Sequence, residues 1–296
     1  MREFVTIILM SVMLLSCSDA KVREYKLDVV ADYPHDVTSY TQGLFFQDGQ
    51  MYESTGQFGE STFRKVDLQT GSALQRLDFS DEYFVEGSVM FEGNLYILTW
   101  TNRKAFIYDA ETLEYKSTWS YPREGWGITT DGKRLIASDG SANLYFMDKN
   151  FALEKKVTVK LDGRPVRYLN ELEYIDGKIW ANVYTTDTIV IINPKDGRVE
   201  GLVDCTGLLP KKFYRPSTDV LNGIAYDKAL DRIYLTGKNW PRLYEVRLVE
   251  KKYIVTFILI TSLFSLWGFA NDITNPMVAA FQTVMELSAF KASWVQ

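Results

Sequence analysis

Five short clusters of polar and aromatic residues recur along the chain, and their side chains are of the kinds that move protons and hold charge. The first is Thr41-Gln42-Gly43-Leu44. The second is Phe84-Val85-Glu86-Gly87, followed by Thr99-Trp100. The third is Glu124-Gly125-Trp126-Gly127. The fourth is Leu169-Asn170-Glu171-Leu172-Glu173, followed by Ala181-Asn182-Val183-Tyr184. The fifth is Val220-Leu221-Asn222-Gly223, followed by Thr236-Gly237-Lys238-Asn239-Trp240-Pro241. If corresponding positions converge, they supply one acid, one lysine, several amides and two or three large aromatic walls. A carboxyl group in an aromatic mouth is raised in pKa by desolvation, which suits it to proton transfer near neutral pH. Lysine and amide N–H groups can hold an oxygen while negative charge develops on it.

Other chemistries are excluded. His35 is the single histidine, so a His-rich zinc site cannot be built, nor a Ser-His-Asp triad unless His35 serves it. His35 beside Asp36 reads as a hydrogen-bonded structural pair. The cysteines are Cys17 and Cys205. Cys17 lies in an export signal, which leaves Cys205 alone and predicts no disulfide framework. The formal net charge of −5 argues against a nucleic-acid partner. Taken singly, Trp100 and Trp126 would read as core and Lys238 as a solvated lysine. Lys155-Lys156 and Lys211-Lys212 read as surface charge. Of Glu171 and Glu173, which alternate along one strand, one reads as structural, paired with an amide or an arginine.

The elements that must position these clusters repeat. GLFFQDGQMYES from Gly43, GSVMFEGNLYILT from Gly87, GITTDGKRLIAS from Gly127, ELEYIDGKIWAN from Glu171 and GIAYDKALDRIYLT from Gly223 share one pattern. Each is a short apolar strand, a turn and a second strand. Asp48-Gly49, Glu92-Gly93, Asp131-Gly132 and Asp176-Gly177 suit tight hairpins, which need residues tolerant of positive φ. The spacing is about forty to fifty residues, the size of a four-stranded propeller blade. The predicted fold is all-β, a five-bladed β-propeller, with the clusters around one mouth.

The two ends read differently. Arg2 and the apolar stretch Phe4 to Leu15 look like a signal peptide, and Leu14-Leu15-Ser16-Cys17 resembles the lipobox of bacterial lipoproteins, with Cys17 as the lipidated residue. From Tyr253 to Ala270 the chain carries no charge, which predicts a transmembrane helix. Residues 251–296 resemble the start of a fucose-permease-like sugar transporter of the major facilitator superfamily. Lys251 and Lys252 would place the near side of that helix in the cytoplasm, whereas the export signal places the preceding domain outside. The tail therefore reads as two neighbouring genes joined or an assembly artefact, with a genuine tail anchor as the alternative. The expected divisions are 1–20, a signal segment; 21–250, the propeller; and 251–296, the truncated membrane segment.

Residues 35–248 carry HD, TQGL, YESTG, EGWG, SDG, LNELEY, ANV, LNGIA and TGKxWP in order. This set resembles plant-type glutaminyl-peptide cyclotransferases, which also occur in bacteria. The resemblance implies a five-bladed propeller that converts the N-terminal glutamine of peptides or proteins to pyroglutamate with release of ammonia. It implies Glu86 of FVEG as the general acid/base, with Lys238 and Asn170 assisting. Gln42, Trp100, Trp126 and Tyr184 fall on substrate-binding positions, although the family often has Trp where Tyr184 stands. It implies no catalytic metal or other cofactor, and it allows a structural calcium in the central channel, for which the sequence assigns no ligands. The expected location is the cell envelope, as an exported lipoprotein. The competing expectation is a propeller anchored there that binds a ligand without catalysis.

Overall fold

The computed structural model describes residues 21–251 and 254–285. Residues 1–20, with the expected signal segment and Cys17, lie outside the described residues. The chain divides into two compact units, Met1–Glu250 and Lys251–Gln296.

The first unit opens with a long strand, β1 (Arg23–Pro34). A four-stranded antiparallel sheet follows, of β2 (Thr41–Gln47), β3 (Gln50–Thr55), β4 (Thr62–Val66) and β5 (Ala73–Asp78). The second sheet is β6 (Val85–Phe91), β7 (Asn94–Thr99), β8 (Lys104–Asp109) and β9 (Tyr115–Ser120). The third is β10 (Ile128–Thr130), β11 (Leu135–Ala137), β12 (Asn143–Met147) and β13 (Leu153–Thr158). A two-stranded ribbon, β14 (Lys160–Leu161) with β15 (Arg164–Pro165), comes next; the repeat pattern gave no sign of it. Then come β16 (Leu169–Ile175), β17 (Lys178–Val183), β18 (Thr188–Ile192) and β19 (Val199–Asp204), and finally β20 (Leu221–Asp227), β21 (Arg232–Gly237) and β22 (Arg242–Glu250).

The last three strands need a fourth, and β1 supplies it. It runs antiparallel to β22 from Tyr25↔Glu250 to Pro34↔Arg242. Its beginning also pairs in parallel with β19, from Arg23↔Gly201 to Lys26↔Asp204. One eight-stranded sheet results, in the order β16-β17-β18-β19-β1-β22-β21-β20. The start of the unit is thus hydrogen-bonded to its end, which covers strand edges that would otherwise stay open.

The hairpins follow the predicted turn chemistry. Asp48-Gly49, Glu92-Gly93 and Asp176-Gly177 all have positive φ at both positions, as a two-residue turn of this hand requires. At Asp131-Gly132 only the glycine does; Asp131 instead accepts the N–H groups of Lys133 and Arg134 through Oδ1.

The first strand of each group touches the next in a closed cycle: β2 meets β6, β6 meets β10, β10 meets β16, β16 meets β20, and β20 meets β2. The approach is close. A Cβ on Gly87 would lie 2.7 Å from the carbonyl oxygen of Trp126, and one on Gly43 would lie 2.8 Å from the nitrogen of Ser88. Four of the five repeats have glycine here, and the fourth in chain order has Glu171 instead. Its carboxylate accepts the N–H of Ile224 at 2.9 Å and of Leu44 at 3.4 Å. Glu173 accepts from Tyr226 N–H at 3.0 Å and from the Thr129 hydroxyl at 3.4 Å. Both glutamates are therefore structural, and their partners are backbone amides and a hydroxyl, with no arginine involved.

Apolar side chains fill the space between successive sheets. Phe45, Phe63, Ile97 and Phe106 pack between the first and second. Tyr96, Leu98, Leu135 and Met147 pack between the second and third. Ile136, Leu144, Leu172 and Ile179 follow, then Ile189, Val203, Ile224 and Leu235. Leu44, Met51, Tyr234 and Leu243 complete the series. Deleting such a buried side chain to alanine costs about 2–5 kcal/mol, because the cavity collapses only partly.

His35 is buried and structural, but its partner is not Asp36. Its Nε2 meets Glu53 Oε1 at 3.0 Å and its Nδ1 meets the carbonyl oxygen of Trp240 at 2.7 Å. Asp36 instead accepts from Thr38 and from Arg64. Cys205 is free and buried.

In the second unit one helix, α1 (Ile254–Met285), is described. Among the described residues no helix is long and apolar enough to cross a membrane, so the expected transmembrane helix over residues 253–270 is not found. The apolar run is interrupted by Thr261, Ser262 and Ser265, whose hydroxyls donate to carbonyls one turn back. The helix then continues past Asp272 and Pro276 to Met285.

Candidate active site

Four strands carry an irregularity at the same place. In β2, Thr41 opposes Thr55 and Gly43 opposes Ser54, so Gln42 is an extra residue. In β6, Glu86 and Gly87 lie against Leu98 alone, since Val85 opposes Thr99 and Ser88 opposes Ile97. The same break falls at Asn170-Glu171 in β16 and at Asn222-Gly223 in β20. A bulge re-aims the side chain of its extra residue. Gln42, Glu86 and Asn170 thereby line one cavity, and Asn222 lies beside Gln42.

The cavity, of about 170 Å³, is lined by Gln42, Glu86, Trp100, Trp126, Asn170, Tyr184 and Lys238, together with Tyr40 and Phe84. All seven pocket residues expected from the sequence are brought together. Tyr40 was not singled out, and Phe84 was named only within its cluster and given no role, although each stands two residues before a bulged position, as Glu124 stands two before Trp126.

Glu86 is 5% exposed and accepts from Gln42 Nε2 at 3.2 Å. Gln42 is oriented by Asn222, whose Nδ2 donates to the Thr41 carbonyl at 2.9 Å and to Gln42 Oε1 at 3.4 Å. Burial holds the Glu86 carboxyl well above the usual carboxylate range; Lys238 pulls it down and Glu124 adds to the rise. Lys238 is 3% exposed, and burial lowers its pKa against the opposing pull of Glu86 and Asp219. Its Nζ lies 4.5 Å from the ring centre of Tyr40 and 5.1 Å from that of Tyr184. Both are within cation–π range. Asn170 Oδ1 is buried and has no hydrogen-bond partner among the described residues.

The walls are fixed from behind. Glu124 Oε2 accepts the indole N–H of Trp100 at 3.0 Å and of Trp126 at 3.2 Å. Trp126 lies against Gly140 of the SDG motif, where an added Cβ would sit 2.6 Å from the indole. Tyr184, where the resemblance favours Trp, stands edge-on to Trp126 with ring centres 5.7 Å apart. Tyr40 donates to Asp219 Oδ2 at 2.9 Å, and burial followed by this bond raises its pKa. Trp240 is not a wall: it is buried and donates to the Asp219 carbonyl.

Among the described residues no three His, Cys, Asp or Glu side chains gather in a way that could hold a metal ion. The Glu171 and Glu173 carboxylates already accept N–H and O–H donors. The resemblance assigned no ligands to the structural calcium, and these two carboxylates are engaged in the fold. What the pocket can do is move a proton at Glu86 and donate hydrogen bonds or positive charge from Gln42, Asn170 and Lys238.

Known proteins resemble the chain over most of its length. The glutamine cyclotransferase family model matches residues 4–248. A glutaminyl-peptide cyclotransferase of Arabidopsis thaliana is 42% identical over 243 residues, which covers 79% of this chain and 75% of the relative. The crystal structure of Myxococcus xanthus glutaminyl cyclase superposes with a TM-score of 0.73 at 35% identity, covering 78% of this chain and all of that one. At the C-terminal end, 50 residues are 72% identical to an L-fucose-proton symporter of Haemophilus influenzae. That match covers 17% of this chain and only 12% of the symporter. The chain belongs to the glutamine cyclotransferase family.

Proposed function

We propose that the chain is a glutaminyl-peptide cyclotransferase that converts N-terminal glutamine of peptides or proteins to pyroglutamate. The observation that carries this reading is the buried Glu86 carboxyl, hydrogen-bonded by Gln42 inside an aromatic pocket, in a chain of this family.

The α-amino nitrogen of the substrate attacks the γ-carboxamide carbon of the same residue. A carbon–nitrogen bond forms, closing a five-membered ring, and the bond to the amide nitrogen breaks. The amine must lose a proton and the departing nitrogen must gain one. Glu86 carries that proton from one to the other, and ammonia leaves. Its raised pKa suits both directions of transfer. Lys238, Asn170 and Gln42 hold the carboxamide oxygen as charge develops on it. No step calls for a metal.

The closed cycle of first strands, with β1 completing the last group, supports reading the first unit as a five-bladed β-propeller over residues 21–250. The lipobox-like Leu14-Leu15-Ser16-Cys17 supports an exported, lipid-anchored protein of the cell envelope. Residues 251–296 are then a transporter-like appendage outside the reaction.

The test is ammonia release from a glutamine-initiated dipeptide amide by the full chain. Stoichiometric ammonia with loss of the free amine is expected. Folded protein that binds the peptide but releases no ammonia would leave a binding-only propeller.

A further inference from the structure

The segment between β3 and β4 presents an aromatic ring to solvent at the edge of the pocket. Phe58 is 51% exposed. It packs edge-on against Phe84, with ring centres 5.4 Å apart. Phe84 is a buried pocket wall that in turn packs edge-on against Trp100, at 5.5 Å. An apolar strip therefore runs from inside the cavity to its rim.

The backbone that holds Phe58 is strained. Gln57 has φ of 105°, a region that side-chain-bearing residues avoid. Such a conformation persists only where the surroundings over-determine it. Here the Gln57 carbonyl accepts from Glu60 N–H at 3.2 Å and from the Ser61 hydroxyl at 2.7 Å. Ser61 Oγ also accepts Val85 N–H at 3.0 Å, next to Glu86. On the other side Gly56 N–H donates to the carbonyl of Tyr40, another pocket wall, at 2.8 Å. The loop is tied at both ends to residues of the site. The structure maintains a strained turn whose visible product is an exposed phenylalanine.

We propose that Phe58 and the outer edge of Phe84 form a second subsite, for a large apolar side chain on the residue that follows the N-terminal glutamine. This rests on the cyclotransferase reading. The reacting amine and carboxamide must reach the buried Glu86 carboxyl, which leaves the substrate's carbonyl end to point outward. Successive Cα atoms are about 3.8 Å apart, which brings the next side chain within reach of the Phe58 ring once glutamine fills the cavity. A half-exposed ring gains by covering its open face with apolar surface, and a glycine in that place offers none.

The experiment compares kcat/KM for Gln-Phe-amide and Gln-Gly-amide in the full-length wild type and in Phe58→Ala and Phe58→Leu. The wild type is expected to favour Gln-Phe-amide. In Phe58→Ala the ratio of the two values should fall by about three- to tenfold, the worth of one aromatic contact. Phe58→Leu should lie between the two, and it carries the test if the alanine variant does not fold. An unchanged ratio in the folded variants, including equal losses on both substrates, would overturn the subsite. A wild type that turns over both peptides without preference would also overturn it. Absence of ammonia from both peptides with the wild type would instead overturn the underlying activity, and the subsite with it.

Discussion

Gln42 donates its side-chain N–H to Glu86 Oε1 across 3.2 Å, and the two residues sit on equivalent bulges of adjacent sheets. The bond holds the carboxyl oriented while the opposite face of the pocket stays free for substrate. Replacing Glu86 by glutamine keeps the shape and removes the transferable proton. Turnover by Glu86→Gln should fall about a hundredfold or more, with peptide binding retained. Steady-state kinetics beside equilibrium binding of a glutaminyl peptide provides the check. Near-normal turnover by folded variant would remove Glu86 from the mechanism.

Glu124 offers a second test because it does two separable things. It accepts the indole N–H of both tryptophan walls, and its charge pushes Glu86 upward. Glu124→Gln keeps an accepting oxygen and loses the charge. The limb of the pH–rate profile that belongs to Glu86 should move to lower pH in this variant, with KM little changed. Glu124→Ala loses both roles. It should also change tryptophan fluorescence and lower kcat/KM by about tenfold or more, because misplaced walls cost orientation. If the two variants behave alike in the pH profile and in fluorescence, the division of roles is wrong.

The pocket was legible in the sequence wherever a functional residue stands at a fixed offset from the glycine that lets two sheets approach. Gln42-Gly43 and Glu86-Gly87 show this, and Asn170 does so beside Glu171, which takes the glycine's place. Roles that depend on another sheet were not legible. Glu124 gains its meaning only when Trp100, from the neighbouring sheet, turns its indole toward it. Nothing near Gln57 announces a strained turn, because the bonds that enforce it come from Ser61 and reach Val85. His35 was paired with its sequence neighbour, but the fold brings its Nε2 to within 3.0 Å of Glu53 Oε1 on β3. The ribbon β14–β15 is only two residues a side, too short for periodicity to register.

A third prediction concerns pH and stability. Glu173 is buried, and burial lifts its pKa to about 8 against the pull of its backbone hydrogen bonds. A carboxyl whose folded pKa lies above its unfolded value supports the fold while protonated, and that support is lost as pH rises through the folded value. Between the ordinary value of 4.5 and about 8 the fold should therefore weaken as pH rises. The slope is about 1.4 kcal/mol per pH unit for one proton. Glu173→Gln removes this dependence and keeps an oxygen for the Tyr226 N–H. Its melting temperature should exceed that of wild type at pH 9, with the difference shrinking toward pH 5. Parallel melting curves across that range would show that Glu173 does not titrate as stated.

The last prediction concerns the ion pair that ties the segment after β1 to β3. His35 meets Glu53 at 3.0 Å, both side chains are almost wholly buried, and the Trp240 carbonyl fixes the other ring nitrogen. Burial pushes the His35 ring down in pKa, but Glu53 and the Trp240 carbonyl more than reverse this, and the net shift is upward. Burial likewise pushes Glu53 up, but His35, Arg64 and Thr41 more than reverse it, and the net shift is downward. The sign for each group follows. A raised histidine supports the fold fully below its ordinary value of 6.5, and that support is lost as pH rises through the raised value. A depressed carboxylate supports the fold above its ordinary value of 4.5, and that support is lost as pH falls through the depressed value. The pair should contribute most between pH 4.5 and 6.5. Glu53→Ala leaves His35 without its carboxylate and orphans the hydroxyls of Ser39 and Thr41, which donate to the same group. Losing one partner of a buried pair costs about 3–5 kcal/mol. Urea unfolding of wild type and Glu53→Gln at several pH values reads the difference with less disruption. That difference should peak inside the window and decline on both sides of it. A difference flat from pH 4 to pH 8 would mean that the pair is held by neutral hydrogen bonds and carries no charge.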